Sequence, residues 1–379
     1  MYHLIMDWYN KFECIGKDCT MTCCTTAWNI LVDEKTYETY QKLDTEFGKQ
    51  IVEKIDPERR VFISDTDDKR CPMLDGEGLC EIIKQMGPGY LCNTCKIYPR
   101  QMRGYGAIQE WSVDLTCPAV AEYLFSEEKI GFSYCEKEDE EEKTKPYDYT
   151  RYQAQSQART FCVELLQERQ DLPLIGRLYI IRQIHEAVRQ LHEADDITMD
   201  AVNRRMLAFE NPSYQEEIAR QIENLHRNPQ MQYRAVFDIL EKLTKTGKGK
   251  MVQETLLSCR NSLRDEETFI RMSEGFYAWC KRYERAYENY FVYHMFLNFI
   301  DLEEPGSCFE SVALEFLFIQ LNAMEAWNMQ ELTRERYRDI IAGTARKFEH
   351  GFHMQKEITE LLREYRINGN AYVLFWLLL

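Results

Sequence analysis

No apolar run in these 379 residues reaches the roughly 20 residues that a membrane-spanning helix needs. The tail Ala371-Tyr-Val-Leu-Phe-Trp-Leu-Leu-Leu379 is too short for that role and is expected to dock on the core as a strand or helix end. The opening MYHLIMDWYNKFEC lacks a basic segment followed by an apolar stretch, so no secretory signal is expected and the expected location is cytoplasmic. Positive charge is short as well. Against 63 Asp and Glu there are 47 Lys and Arg, and the net charge of −16 argues against a phosphate-backbone binder. An acidic surface still attracts a basic protein or peptide. Histidine is scarce, with seven in all and only His3 near the cysteine groups, so a mixed Cys/His zinc finger is poorly supported. Glycine-rich phosphate cradles are missing too. Gly104-Tyr-Gly106 is too short, and Thr246-Gly-Lys-Gly-Lys250 fails the phosphate-loop spacing, so no doubly wound nucleotide domain is visible.

Cysteine, by contrast, is concentrated. Nine of the 14 cysteines lie between Cys14 and Cys117, in grouped spacings: Cys14-x4-Cys19-x3-Cys23-Cys24, then Cys71-Pro, Cys80, Cys92-x2-Cys95 and Cys117-Pro. Thiolates are soft ligands for zinc and iron–sulfur clusters, and short loops let one segment supply several of them. In a reducing compartment a disulfide framework is the weaker reading. Neighbouring side chains such as Cys23 and Cys24 diverge, which suits a larger cluster or two centres better than one small tetrahedral ion. Iron–sulfur and zinc both remain open on these grounds. Lys96, Arg100 and Arg103 follow Cys95 closely, where cations favour thiolate and offset a cluster's negative charge. Tyr98-Pro99-Arg100 reads either as a ligand-binding turn or as a turn fixing a structural arginine. Cys135, Cys162, Cys259, Cys280 and Cys308 are isolated and read as core residues.

The pattern divides the chain into a cysteine-rich module (1–135), an acidic linker (136–146) with six acidic and three basic residues between Glu136 and Lys145, and a helical domain (147–379). The expected fold is mainly α, with short strands in the metal-binding module at Trp28–Val32 and Val61–Ile63. Helices are expected there over Glu34–Lys54 and from Pro118. Beyond Tyr147 helical periodicity predicts Arg151–Gln170, Leu172–Glu193, Met199–Glu210, Ser213–Arg227, Gln232–Thr244, Glu266–Phe299, Phe309–Trp327 and Thr333–Tyr365. Asn-Pro pairs at 211–212 and 228–229 act as breaks, and Ser307-Cys-Phe-Glu310 forms a capping box. Tyr283, Tyr287 and Tyr290 share a helical stripe with the spacing of core packing, and Tyr293 and His294 lie on the same helix.

Several fragments resemble the flagellin lysine-N-methylase (FliB) family, itself related to a broader set of cysteine-cluster proteins. They are Phe12-x-Cys14, Cys19-x3-Cys23-Cys24 followed by Trp28-x-Ile30, Cys71-Pro72-x-Leu74, Gly78-Leu79-Cys80, Asn93-Thr94-Cys95-x2-Tyr98-Pro99-Arg100 and Thr116-Cys117-Pro118. The resemblance covers about the first third of the chain. It implies methyl transfer from S-adenosylmethionine to lysine side chains of flagellin. It also implies an iron–sulfur centre, of 4Fe-4S type with zinc as the alternative, held by Cys14, Cys19, Cys23, Cys24, Cys71, Cys80, Cys95 and Cys117. The family pattern does not require Cys92. Tyr98 and Arg100 are the cofactor-binding candidates, and no catalytic residue is assigned. The Cys-x3-Cys-x2-Cys spacing of common radical S-adenosylmethionine enzymes is absent. Competing readings are a non-catalytic metal-binding or electron-transfer protein with a helical docking domain, and a zinc-stabilised interaction protein.

Overall fold

The computed structural model describes residues 1–25, 30–64, 70–136, 148–225, 229–246, 257, 264–301, 303–306 and 308–349. Trp28, the acidic run from Lys137, Gly247–Lys250, Cys259, Ser307 and the chain from His350, including the apolar tail, lie outside the described residues.

The fold is mainly helical, with one small sheet. Its strands are β1 (Tyr2–Met6), β2 (Arg100–Tyr105), β3 (Ile108–Val113) and β4 (Phe132–Glu136), in the order β2-β3-β1-β4. β2 and β3 form a hairpin that turns at Gly106, whose φ of +62° favours glycine. β1 runs parallel to β3, pairing Tyr2 with Ile108 and Ile5 with Trp111, while β4 runs antiparallel to β1. The sheet was not expected from the sequence. The buried positions of β3 include Glu110 and Ser112, which erase the apolar alternation of a half-buried strand. The strands expected at Trp28–Val32 and Val61–Ile63 reduce to isolated bridges, including Leu31 with Val61, among the described residues.

The predicted helices of the second part are present with shifted ends: Tyr149–Glu168, Leu174–Glu193, Met199–Phe209, Pro212–Leu225, Pro229–Thr246, Cys308–Asn328 and Arg334–Glu349. Two long predictions are corrected. The helix expected over Glu34–Lys54 is two, Glu34–Gln41 and Glu46–Glu53, because Thr45 caps the second by accepting from the Gly48 amide at 3.0 Å. A Cβ on Gly48 would lie 2.5 Å from the Leu43 Cβ, so glycine permits this tight return. The stretch Glu266–Phe299 likewise divides into Glu266–Cys280 and Glu284–Asn298 around a 3-10 turn. No described helix is long and apolar enough to cross a membrane.

One large core runs from Met6, Trp8 and Phe12 through Val113, Leu115 and Leu124 into the helices. The sheet is tied to it by a buried ion pair. Arg159 grips Glu110 with both guanidinium ends, at 2.6 and 2.9 Å, and donates to the Phe296 carbonyl, while Tyr152 donates to the same carboxylate at 2.7 Å. A second, smaller core holds Ile30, Val32, Tyr40, Ile51, Ile55, Met73, Ile82 and Cys92.

Candidate metal centre

The small core is where the thiols gather. Cys71, Cys80 and Cys95 pack on its edge and Cys92 is buried within it. Its parts are stitched by polar contacts: Asn93 N donates to Asp33 (2.8 Å), Thr94 Oγ1 to the Leu31 carbonyl (2.7 Å), and Cys71 N to the Cys24 carbonyl (2.8 Å). A core of this size supplies little stability by itself, which is the situation in which small modules rely on a metal or another staple.

Two thiol groups emerge. Cys24 hydrogen-bonds both Cys23 and Cys71, Cys92 hydrogen-bonds Cys95, and Cys80 lies within electrostatic reach of Cys71 and Cys23. Cys14, Cys19 and Cys117 form the second group, with Cys19 also sensing Cys23. All eight predicted ligands fall in these groups, and so does Cys92, which was not among them. Among the described residues, no three or more His, Cys, Asp or Glu side chains already stand at metal-binding geometry.

The donor set nevertheless fits a thiophilic centre. Several sulfurs accept backbone N–H bonds from just downstream: Cys80 from Ile83 and Ile82, Cys117 from Val120 and Ala119, Cys71 from Met73, Cys92 from Cys95 and Cys19 from Met21. Such bonds favour thiolate. The hydrogen bond from Cys24 draws Cys23 down to about 7 and also lowers Cys71, and that from Cys95 draws Cys92 to about 7. Burial raises Cys19 and Cys80, and raises Cys117 to about 11. Loading a metal here therefore releases protons.

Of the expected cations, Arg100 and Arg103 bind main-chain carbonyls, which for Arg100 is the structural alternative of the Tyr98-Pro99-Arg100 turn. Arg100 donates to the Tyr9 carbonyl (3.1 Å) and the Phe12 carbonyl (2.9 Å) and stacks on both rings, holding the segment that leads to Cys14. Arg103 reaches the Leu297 carbonyl. Tyr98 shares a 2.8 Å hydrogen bond with Thr116, beside Cys117, and burial pushes its phenol up. The cation that draws on Cys19 and Cys23 is Arg346, from the last described helix. Its guanidinium donates to the carbonyls of Thr116 and Met21, each at 2.6 Å, clamping two cysteine loops together. Nothing in the local sequence signals this role.

Behind the Cys117 loop lies a buried polar pair. Leu115 N donates to the Tyr293 hydroxyl (3.2 Å), and Asp114 accepts from Thr116 N and Gln101, each at 2.8 Å. Next to Tyr293, His294 places Nε2 3.8 Å from Glu315 Oε1, and neither atom has a hydrogen-bond partner. Asn298 sits 3.0 Å from His294 Nδ1, and the Tyr290 ring packs 4.4 Å away. Burial drives the imidazole down to about 3, with Arg103 adding to the effect. Burial also drives Glu315 up to about 8, against a hydrogen bond from Tyr290 and helped by Asp114. Tyr287, Tyr290 and Tyr293 are buried against Phe316, Tyr337 and Trp8, as core packing requires. Periodicity located His294 but not Glu315, whose helix reads as apolar core.

A family model, the FliB lysine N-methylase C-terminal domain, matches residues 159–376, more than half of the chain. The chain belongs to that family. It is 26% identical over 129 residues to a lysine-N-methylase of Salmonella typhimurium, covering 31% of each chain. It is 24% identical over 127 residues to the flagellar biosynthetic protein FliU of Salmonella muenchen, covering 31% of this chain and 72% of that one. A lysine-N-methylase of Salmonella choleraesuis gives 26% over 128 residues, 31% of this chain and 30% of that protein. The match thus spans about a third of the length of these curated lysine-N-methylases. No solved structure matches. The family domain contains Arg159, His294, Glu315 and Arg346, so the buried pair and the clamp on the cysteine loops both fall inside it.

Proposed function

We propose that this protein is a lysine N-methyltransferase that moves the methyl group of S-adenosylmethionine to lysine side chains of flagellin. In this reading Cys14, Cys19, Cys23, Cys24, Cys71, Cys80, Cys95 and Cys117 hold an iron–sulfur cluster. Membership of the lysine N-methylase family carries the reading, and the flagellar name of the FliU relative supports the substrate. A cluster bound by these thiolates supplies one-electron chemistry and Lewis acidity. The chain's own groups do the rest. Backbone N–H donors and Arg346 stabilise the anionic sulfurs, while Tyr98 and Arg100 hold the Thr116–Cys117 and Phe12–Cys14 segments in place. Direct displacement requires a neutral amine aligned with the sulfonium methyl, so a proton must leave the lysine before attack.

The test is anaerobic purification with iron, zinc and acid-labile sulfide analysis. Incubation with purified flagellin and methyl-labelled S-adenosylmethionine follows, with lysine modification read by mass spectrometry. Label on flagellin lysines is the expected result. Protein that carries iron and sulfide yet leaves flagellin unlabelled would overturn the methyltransferase reading.

A further inference from the structure

Cys308 departs from the reading of the isolated cysteines as core residues. Cys162 and Cys280 are buried, whereas Cys308, like Cys135 on the edge strand, is only half-buried. It opens the helix Cys308–Asn328, and its Sγ lies 3.8 Å from Nδ1 of His185 on Leu174–Glu193. On the far side of the ring, His185 Nε2 sits 3.5 Å from Met295 Sδ. A thioether sulfur can only accept, so that hydrogen bond requires the proton on Nε2 and leaves the Nδ1 lone pair facing the thiol. The imidazole is 1% exposed and wedged against Phe299 (4.4 Å) and Phe309 (5.5 Å), which fix its plane.

Gly306, two residues before Cys308, lies against the same helical turn as His185. Gly306 has φ +76°, and a Cβ there would lie 2.3 Å from the His185 carbonyl oxygen and 3.1 Å from the Arg189 Cβ. Only glycine lets the loop press so closely onto the histidine's own turn. A further thiol, Cys162, is fully buried within electrostatic reach of Cys308, and burial holds it far above the usual thiol range.

We propose that Cys308 and His185 form an activated thiol dyad, a modification site that reacts with small hydroperoxides. His185 Nδ1 takes the S–H proton. The thiolate attacks one peroxide oxygen, an S–O bond forms and the O–O bond breaks. The departing alkoxide or hydroxide then recovers the proton from the imidazolium. The sulfur is oxidised to a sulfenic acid, and the peroxide is reduced to an alcohol or water. This chemistry is independent of the cysteine module and of methyl transfer.

The experiment uses the full-length, metal-loaded protein. Hydrogen peroxide at low stoichiometry, followed by a sulfenic-acid-trapping dione and peptide mapping, locates the oxidised thiol. Iodoacetamide rates at Cys308, measured against pH, report its nucleophilicity. The expected result is an adduct on Cys308, an alkylation midpoint below the ~8.5 of a free thiol, and about a tenfold slower reaction at pH 7 in His185→Asn. A His185→Asn protein with unchanged melting, rate and midpoint would overturn the dyad. Should that variant fail to fold, the wild-type midpoint decides, and a value at or above that of a free thiol refutes the proposal.

Discussion

Glu315 and His294 make a quantitative prediction about stability and pH. Glu315 moves from an ordinary 4.5 up to about 8 in the folded protein, and His294 from 6.5 down to about 3, each through burial. A raised carboxyl contributes its full stability below the unfolded value and loses it as pH climbs toward the folded one. A depressed imidazole does the reverse, contributing fully above 6.5 and losing stability as pH falls toward 3. Each unit of pH between the two values is worth about 1.4 kcal/mol. Between pH 4.5 and 6.5 the two slopes cancel, and from 6.5 to 8 only the loss from Glu315 remains. From pH 5.5 to 8 the Glu315 contribution falls by about 3 kcal/mol while that of His294 rises by about 1.4 kcal/mol. Glu315→Gln keeps the shape of the neutral acid and removes its titration. The stability of the variant relative to wild type should rise by about 3 kcal/mol between pH 5.5 and pH 8. Urea unfolding of both proteins in parallel under anaerobic conditions measures this. Asp114, Tyr290 and His294 face the carboxyl, Arg103 acts on His294, and all are unchanged in both, so their effects subtract. If the Gln variant keeps the wild-type loss of stability between those two pH values, Glu315 is not the buried acid described.

Three further outcomes follow from the packing. Glu110→Ala strands Arg159 without its partner in the interior and should cost about 3–5 kcal/mol, whereas Glu128→Ala, at the exposed pair with Lys11, should cost less than about 1 kcal/mol. Equal losses in chemical unfolding would contradict the burial argument. Cys23→Ser and Cys95→Ser should each lose bound metal and lower the melting temperature of the cysteine module; retained metal and unchanged melting in both would refute them as ligands. Arg346→Met removes two charged hydrogen bonds to the cysteine loops and should speed metal loss to a chelator, with a stability cost of about 2–4 kcal/mol. Chelator kinetics indistinguishable from wild type would show that the clamp does not act on the thiols.

Much of the helical part was legible because its signal is local. Apolar spacing and Asn-Pro breaks act within a few residues, so helices such as Met199–Phe209 and Cys308–Asn328 appear close to where periodicity puts them. The thiol set was legible for the same reason, since short spacings gather soft donors whatever surrounds them. The sheet was not. β1 and β3 pair across most of the cysteine-rich region, and β3 buries Glu110 where a strand pattern calls for an apolar residue. That glutamate reads as solvent-facing until Arg159, from a helix beyond the acidic run, is brought against it. Arg346 is similar. Charge near Cys95 pointed to Lys96, Arg100 and Arg103, yet the arginine that holds the cysteine loops arrives from the other end of the described chain. The sequence by itself determined the set of thiols, the helices and the acidic balance, because these are properties of residue type and local order. Tertiary packing alone decided which thiols meet, which cation faces them, and that His294 and Glu315 confront one another in the interior. Burial and charge pairing belong to the whole folded chain, and no local window contains them.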